Sequence, residues 1–128
     1  MPNLRIAVAD DERDMRDYLR WVLERLGHTV LGPVDNGRAL VDLCREEAVD
    51  LVITDIRMPE MNGDVALKHI QAIRQTPYIV ISAFGSPEAL SDAMEGEWIY
   101  LNKPVGKRDL QEAIARLMPQ EGPAGTPE

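Results

Sequence analysis

Strand-like and helix-like segments alternate five times along this chain, and that regularity leaves few folds open. The strand candidates are LRIAVAD (4–10), HTVLG (28–32), DLVITD (50–55), PYIVISA (77–83) and WIYLNKP (98–104). The first, third and fourth are apolar almost without interruption, as expected of parallel strands covered on both faces. Between them run amphipathic segments. Residues 12–26 bring Met15, Leu19, Val22, Leu23 and Leu26 to one helical face, and Gly27 closes the helix. Residues 37–47, 64–73 and 106–118 repeat the pattern, through Leu40, Val41, Leu43 and Cys44, then Val65, Leu67, Ile70 and Ile73, then Leu110, Ile114, Leu117 and Met118. Residues 87–95 make a shorter helix after the fourth strand. Such alternation predicts an α/β doubly wound parallel sheet of five strands, with right-handed crossovers and helices on both faces.

Residues 1–118 are expected to form one domain, since 128 residues suffice for one core. The remainder, PQEGPAGTPE (119–128), has nothing to bury and reads as a disordered tail or linker stub. No run approaches the roughly 20 apolar residues that span a bilayer, and no signal peptide precedes the first strand. One cysteine, Cys44, cannot form an internal disulfide and suits a reducing cytoplasm. With 14 basic against 22 acidic residues the net charge is −8, which argues against this domain gripping a nucleic-acid backbone.

In open parallel sheets the carboxyl ends of the strands form the ligand site. The first strand here ends in Asp10 and Asp11, the third in Asp55 and the fourth in Ser82; the fifth delivers Lys103. Two like charges 4 Å apart at an effective dielectric near 20 repel by about 4 kcal/mol, so three carboxylates gathered there need a counter-charge. Lys103 neutralises only one. A hard, all-oxygen site suits Mg2+ (or Mn2+), whereas His28, His69 and Cys44 fall away from the strand ends and argue against zinc. Asp55 would then act as a nucleophile that carries a phosphoryl group covalently. The break at Pro59 and Gly63 lets a backbone carbonyl, that of Arg57, turn to the metal.

The residues ADDE (9–12), DIRMPEMNG (55–63), SA (82–83) and YLNKP (100–104), in that order and spacing, resemble those of a bacterial response-regulator receiver domain, CheY-like, over residues 4–118. The resemblance implies a flavodoxin-like sheet order 2-1-3-4-5, a worked example of which belongs to this family. It implies Asp55 as phosphoacceptor and Asp10 and Asp11 as the Mg2+-holding pair, with Asp11 the direct ligand. Ser82 matches the hydroxyl that bonds the phosphoryl group, Lys103 the lysine that pairs with it, and Tyr100 the aromatic that reports the switched state. The Lys103–Pro104 bond is a candidate cis peptide. Arg57 and Phe84, two residues beyond Asp55 and Ser82, are positions that tune phosphoryl loss.

On this reading the chain is a two-component signalling switch, not an enzyme. It takes its phosphoryl group from a sensor histidine kinase or phosphotransfer protein. It signals to an output domain or partner through the face of the fourth helix, fifth strand and last helix, and a phosphorylation-dependent dimer is compatible with this. One alternative is the receiver part of a longer transcriptional or RNA-binding antitermination regulator. Another is an Asp-nucleophile phosphatase, which would want a second acid where Arg57 stands. Weighed singly, Asp10 or Asp11 would be a helix cap, Ser82 a turn residue, Lys103 solvated, and Tyr100 and Trp98 edge-strand packing.

Overall fold

In a computed structural model, which describes residues 3–83 and 94–119, the alternation folds as expected. Strands β1 (Arg5–Ala9), β2 (Thr29–Val34), β3 (Leu51–Asp55), β4 (Tyr78–Ser82) and β5 (Trp98–Asn102) form one sheet in the order β2-β1-β3-β4-β5. Every neighbouring pair is parallel. The described helices are α1 (Arg13–Arg25), α2 (Gly37–Glu46), α3 (Gly63–Ile73) and α4 (Lys107–Leu117). The helix expected over 87–95 lies, up to residue 93, outside the described residues, as do Phe84 and residues 120–128; Met94 and Glu95 are irregular. Among the described residues no helix is long and apolar enough to cross a membrane.

The continuous apolar runs serve two cores at once, because successive side chains leave opposite faces of a strand. Ala7, Ala9, Val52, Tyr78 and Val80 point to one side, where α2 and α3 cover them with Leu40, Val41, Cys44, Leu67 and Ile70. Ile6, Val8, Leu51, Ile53, Ile79 and Ile81 point to the other, beneath Leu19, Val22 and Leu23 of α1 and Leu110 and Ile114 of α4. Each fully buried Val, Leu or Ile among them stabilises the fold by about 1.5–3 kcal/mol relative to exposure. Cys44 is packing material, as expected: burial pushes its thiol up to about 11.

Helix α1 stops as its sequence suggested. Gly27 has φ +96, and the amides of Gly27 and His28 donate back to the carbonyls of Glu24 and Leu23, both at 3.0 Å. Strand β2 is the main correction, for it runs to Val34 and not to Gly32. The cis Gly32-Pro33 peptide lies within the strand. There the pairing with β1 shifts register between Ala7 and Ala9. Proline is tolerated because β2 is an edge strand.

Candidate functional site

Strand pairing determines which side chains can meet. Ala9 stands opposite Thr54, so Asp10 and Asp55 continue the two central strands side by side, with the parity that faces α1 and α4. Asp10 is wholly buried and Asp55 nearly so. Asp10 Oδ1 accepts the Glu12 amide at 2.9 Å, and its backbone carbonyl accepts Arg16 Nη1 at 2.9 Å. The N-cap of α1 is Glu12, whose side chain makes no capping bond. The helix-cap reading of Asp10 or Asp11 is thus replaced by an acid that orders its own turn.

Asp55 is held by the loop behind it. Its Oδ1 accepts the Ile56 amide at 2.6 Å, and Thr54 Oγ1 donates to the Asp55 carbonyl at 2.8 Å. The Gly63 amide donates to the Ile56 carbonyl at 2.6 Å, so α3 begins directly behind the strand end. A Cβ on Gly63 would lie 1.9 Å from the Asp55 carbonyl oxygen, so only glycine permits this approach. Pro59 and Gly63 do shape the loop, as the sequence suggested. Asn62 Oδ1 adds a bond from the Met58 amide at 3.2 Å. Arg57 is exposed in this loop.

Lys103 arrives from the far edge of the sheet. Its amide donates to the Ser82 carbonyl at 2.9 Å, and the Lys103–Pro104 peptide is cis, as the resemblance implied. Its ammonium lies 3.0 Å from Asp10 Oδ2, 3.1 Å from Asp55 Oδ2 and 3.2 Å from Glu12 Oε1. The second and third contacts are hydrogen bonds. Asp10 Oδ2 is an ionic neighbour but is buried with no hydrogen bond. Sequence reasoning missed Glu12, although it closes the ADDE motif.

These contacts set the protonation balance. Burial raises the Asp10 carboxyl above its usual value; the Glu12 amide and Lys103 oppose this, and the Asp55 charge adds to it. Burial by itself would lower the Lys103 ammonium. The neighbouring Asp10 and Asp55 carboxylates more than offset that, holding it above the ordinary lysine range.

Asp11 is exposed, yet one oxygen from each of Asp10, Asp11 and Asp55 lies within 4.8 Å of the others. Asp10 Oδ2 is also buried without a hydrogen bond, and this hard oxygen set fits a divalent cation such as Mg2+. His28 precedes β2 at the opposite end of the sheet, where its Nδ1 accepts the Leu4 amide at 3.2 Å. His28 is therefore structural, as expected.

Ser82 ends β4, buried, opposite Asn102, while Tyr100 is half-buried opposite Val80. Ser82, Val80 and Tyr100 share the face that α2 and α3 cover, so Ser82 and Tyr100 flank one stretch of the β4–β5 ladder. Trp98 packs there too, stacked on Tyr78 with ring centres 6.0 Å apart.

A parallel sheet in this order, with an acid pair after its first strand, an acid ending its third and a lysine after its fifth, defines a signalling module of the receiver type. The sequence model of the response regulator receiver domain matches residues 6–115, and the chain belongs to that family. It is 35% identical over 116 residues to the chemotaxis protein CheY of Bacillus subtilis, covering 89% of this chain and 97% of that protein. It is 36% identical over 131 residues to the sensory/regulatory protein RpfC of Xanthomonas campestris pv. campestris; that match takes in 98% of this chain and spans 18% of RpfC's length. Among solved structures, the receiver domain of a sensor histidine kinase from Pseudomonas aeruginosa superposes with TM-score 0.80 at 25% identity, covering 93% of this chain and 100% of that one. That structure has a magnesium ion coordinated in its active site cleft.

Proposed function

We propose that this chain is a phosphoacceptor switch, in which Asp55 takes a phosphoryl group from a sensor histidine kinase or phosphotransfer protein. One Asp55 oxygen attacks phosphorus, a P–O bond forms, and the P–N bond of the donor phosphohistidine breaks. The imidazole leaves with the electron pair and takes a proton from solvent. Later attack by water releases phosphate and restores the carboxylate. The observation that carries this reading is the Lys103 ammonium set 3.0 and 3.1 Å from the oxygens of Asp10 and Asp55. Lys103 is thus poised to follow charge as it moves from Asp55 onto the phosphoryl oxygens. A Mg2+ or Mn2+ ion held by Asp10, Asp11, Asp55 and the Arg57 carbonyl would neutralise those oxygens. The buried Asp10 Oδ2 supports that ligand set.

Ser82 and Tyr100 would convert the event into a change of surface. Ser82 turns to the phosphoryl group, Tyr100 fills the space it leaves, and the surface around β5 and α4 is remodelled. Charge-assisted bonds from Ser82 and Lys103, at about 1.5–3 kcal/mol each, supply roughly 3–6 kcal/mol. Inverting a two-state population from 1:99 to 99:1 takes about 5.5 kcal/mol, so the two are matched. The test is incubation with a small phosphodonor and Mg2+, read by intact mass. Wild type should gain one phosphoryl group and Asp55→Asn none; an adduct retained in the variant would move the nucleophile elsewhere.

A further inference from the structure

The Lys103 ammonium has three N–H bonds and three carboxylate neighbours, and these neighbours differ in one respect. The Asp10 side chain is 1% exposed and that of Asp55 10%, whereas that of Glu12 is 66% exposed. Resting on the phosphoacceptor reading above, we propose that Glu12 is a positioning residue that holds one Lys103 N–H until a phosphoryl oxygen displaces it. A phosphoryl group on Asp55 draws the ammonium toward its own oxygens, the Asp55 contact follows the charge, and the contacts to Asp10 and Glu12 then compete with that movement. Asp10 has no water to turn to, and its Oδ2 already lacks a hydrogen bond, so withdrawing the ammonium would leave a buried charge unpaired. Glu12 loses little, because its carboxylate rehydrates in place. The Glu12–Lys103 bond at 3.2 Å is therefore the exchangeable one. While intact, it aims the lysine at the site and competes with the phosphoryl group.

The side chain of Glu12 takes no part in capping α1, and its backbone carbonyl receives the Arg16 amide at 3.0 Å. Glu12→Gln therefore leaves the helix start intact and removes the ionic competitor. Asp14→Asn, at an exposed acid in the first turn of α1 that is not among the three carboxylates around Lys103, removes the same charge and serves as control.

The experiment titrates wild type, Glu12→Gln and Asp14→Asn with beryllofluoride in the presence of Mg2+, and follows the Lys103 side-chain signals by NMR. Glu12→Gln should bind the phosphoryl mimic about two- to fivefold more tightly than wild type, the range open to a largely exposed ion pair, with Asp14→Asn close to wild type. The Lys103 signals of unliganded Glu12→Gln should be shifted, and the gain in affinity should vanish in a Lys103→Met background. Equal affinity in all three proteins, weaker binding by Glu12→Gln, or a gain that persists without Lys103 would overturn the inference for Glu12. A wild type that neither binds the mimic nor forms the Asp55 adduct would overturn the phosphoacceptor reading itself, and Glu12's role with it.

Discussion

An alanine at position 63 tests how closely the start of α3 is pressed against β3, the strand that ends in Asp55. Its Cβ would lie 1.9 Å from the Asp55 carbonyl oxygen, 3.0 Å from that carbonyl carbon and 3.1 Å from Thr54 Oγ1. Real Cβ atoms do not sustain contacts under 3.0 Å, so helix and strand have to part by about 1 Å. No flexible side chain can absorb this, since the obstructing atoms are backbone. Gly63 is not in left-handed backbone, so the cost is steric alone. Overpacking of this kind costs about 1–3 kcal/mol, and stretching the 2.6 Å bond from the Gly63 amide to Ile56 adds about 0.5–1.5. The expected loss is about 2–4 kcal/mol, a large share of the 5–15 kcal/mol typical of a domain. Urea unfolding followed by tryptophan fluorescence measures the stability. Phosphodonor labelling read by intact mass measures the site, and it should slow because Asp55 is displaced with its carbonyl. A loss below about 1 kcal/mol with labelling at the wild-type rate would show that the approach is not as close as described.

Metal removal should change stability in a pH-dependent way. Burial raises Asp10 above its usual 3.8, so its contribution is complete below that pH and is lost as pH rises through the folded value. A divalent cation needs the ionised form, so Mg2+ should raise the urea midpoint increasingly across the same window, reaching about 2.7 kcal/mol when saturated a hundredfold above its Kd. A magnesium effect undiminished near pH 3.8 would exclude Asp10 from the site. Tyr78→Phe should cost about 1 kcal/mol in thermal or urea unfolding, because the buried hydroxyl donates to the Glu95 carbonyl at 2.8 Å. Stability equal to wild type would show that this bond does not tie residues 94–97 to β4.

Much of this architecture could be read in the chain because the signals were local. Short, β-branched apolar runs such as LVIT mark strands covered on both faces, and Gly27 after an amphipathic run marks a helix end. The order of strands had no local signal and came with the family resemblance. Strand β2 ran past its expected end because Gly32-Pro33 looks like punctuation, and only an edge position lets it remain in the sheet. At the site, Asp10, Asp55 and Lys103 were legible as charges ending apolar runs. Glu12 was not, since nothing local distinguishes it from any exposed acid opening a helix; its meeting with Lys103 depends on β5 returning beside β1 and β3. Gly63 was legible as a turn residue, but not as the point where helix and strand touch.

The position of the lysine follows from the geometry of the sheet. Neighbouring strands lie about 4.8 Å apart, so β5 stands about 10 Å from β3 with β4 between them. An ammonium that must reach the acids of β1 and β3 from the edge has to cross the end of β4, and Lys103 does so on its four-carbon stem, ending 3.0–3.2 Å from three carboxylates. A cation placed instead on a central strand would bury its stem among the acids and fix its position. Anchored at the edge and bonded at its tip, the lysine can swing a short distance without disturbing either core. That freedom is what a group needs if it is to follow a charge that arrives and departs, and it is why the one exposed partner, Glu12, is the contact that can be exchanged.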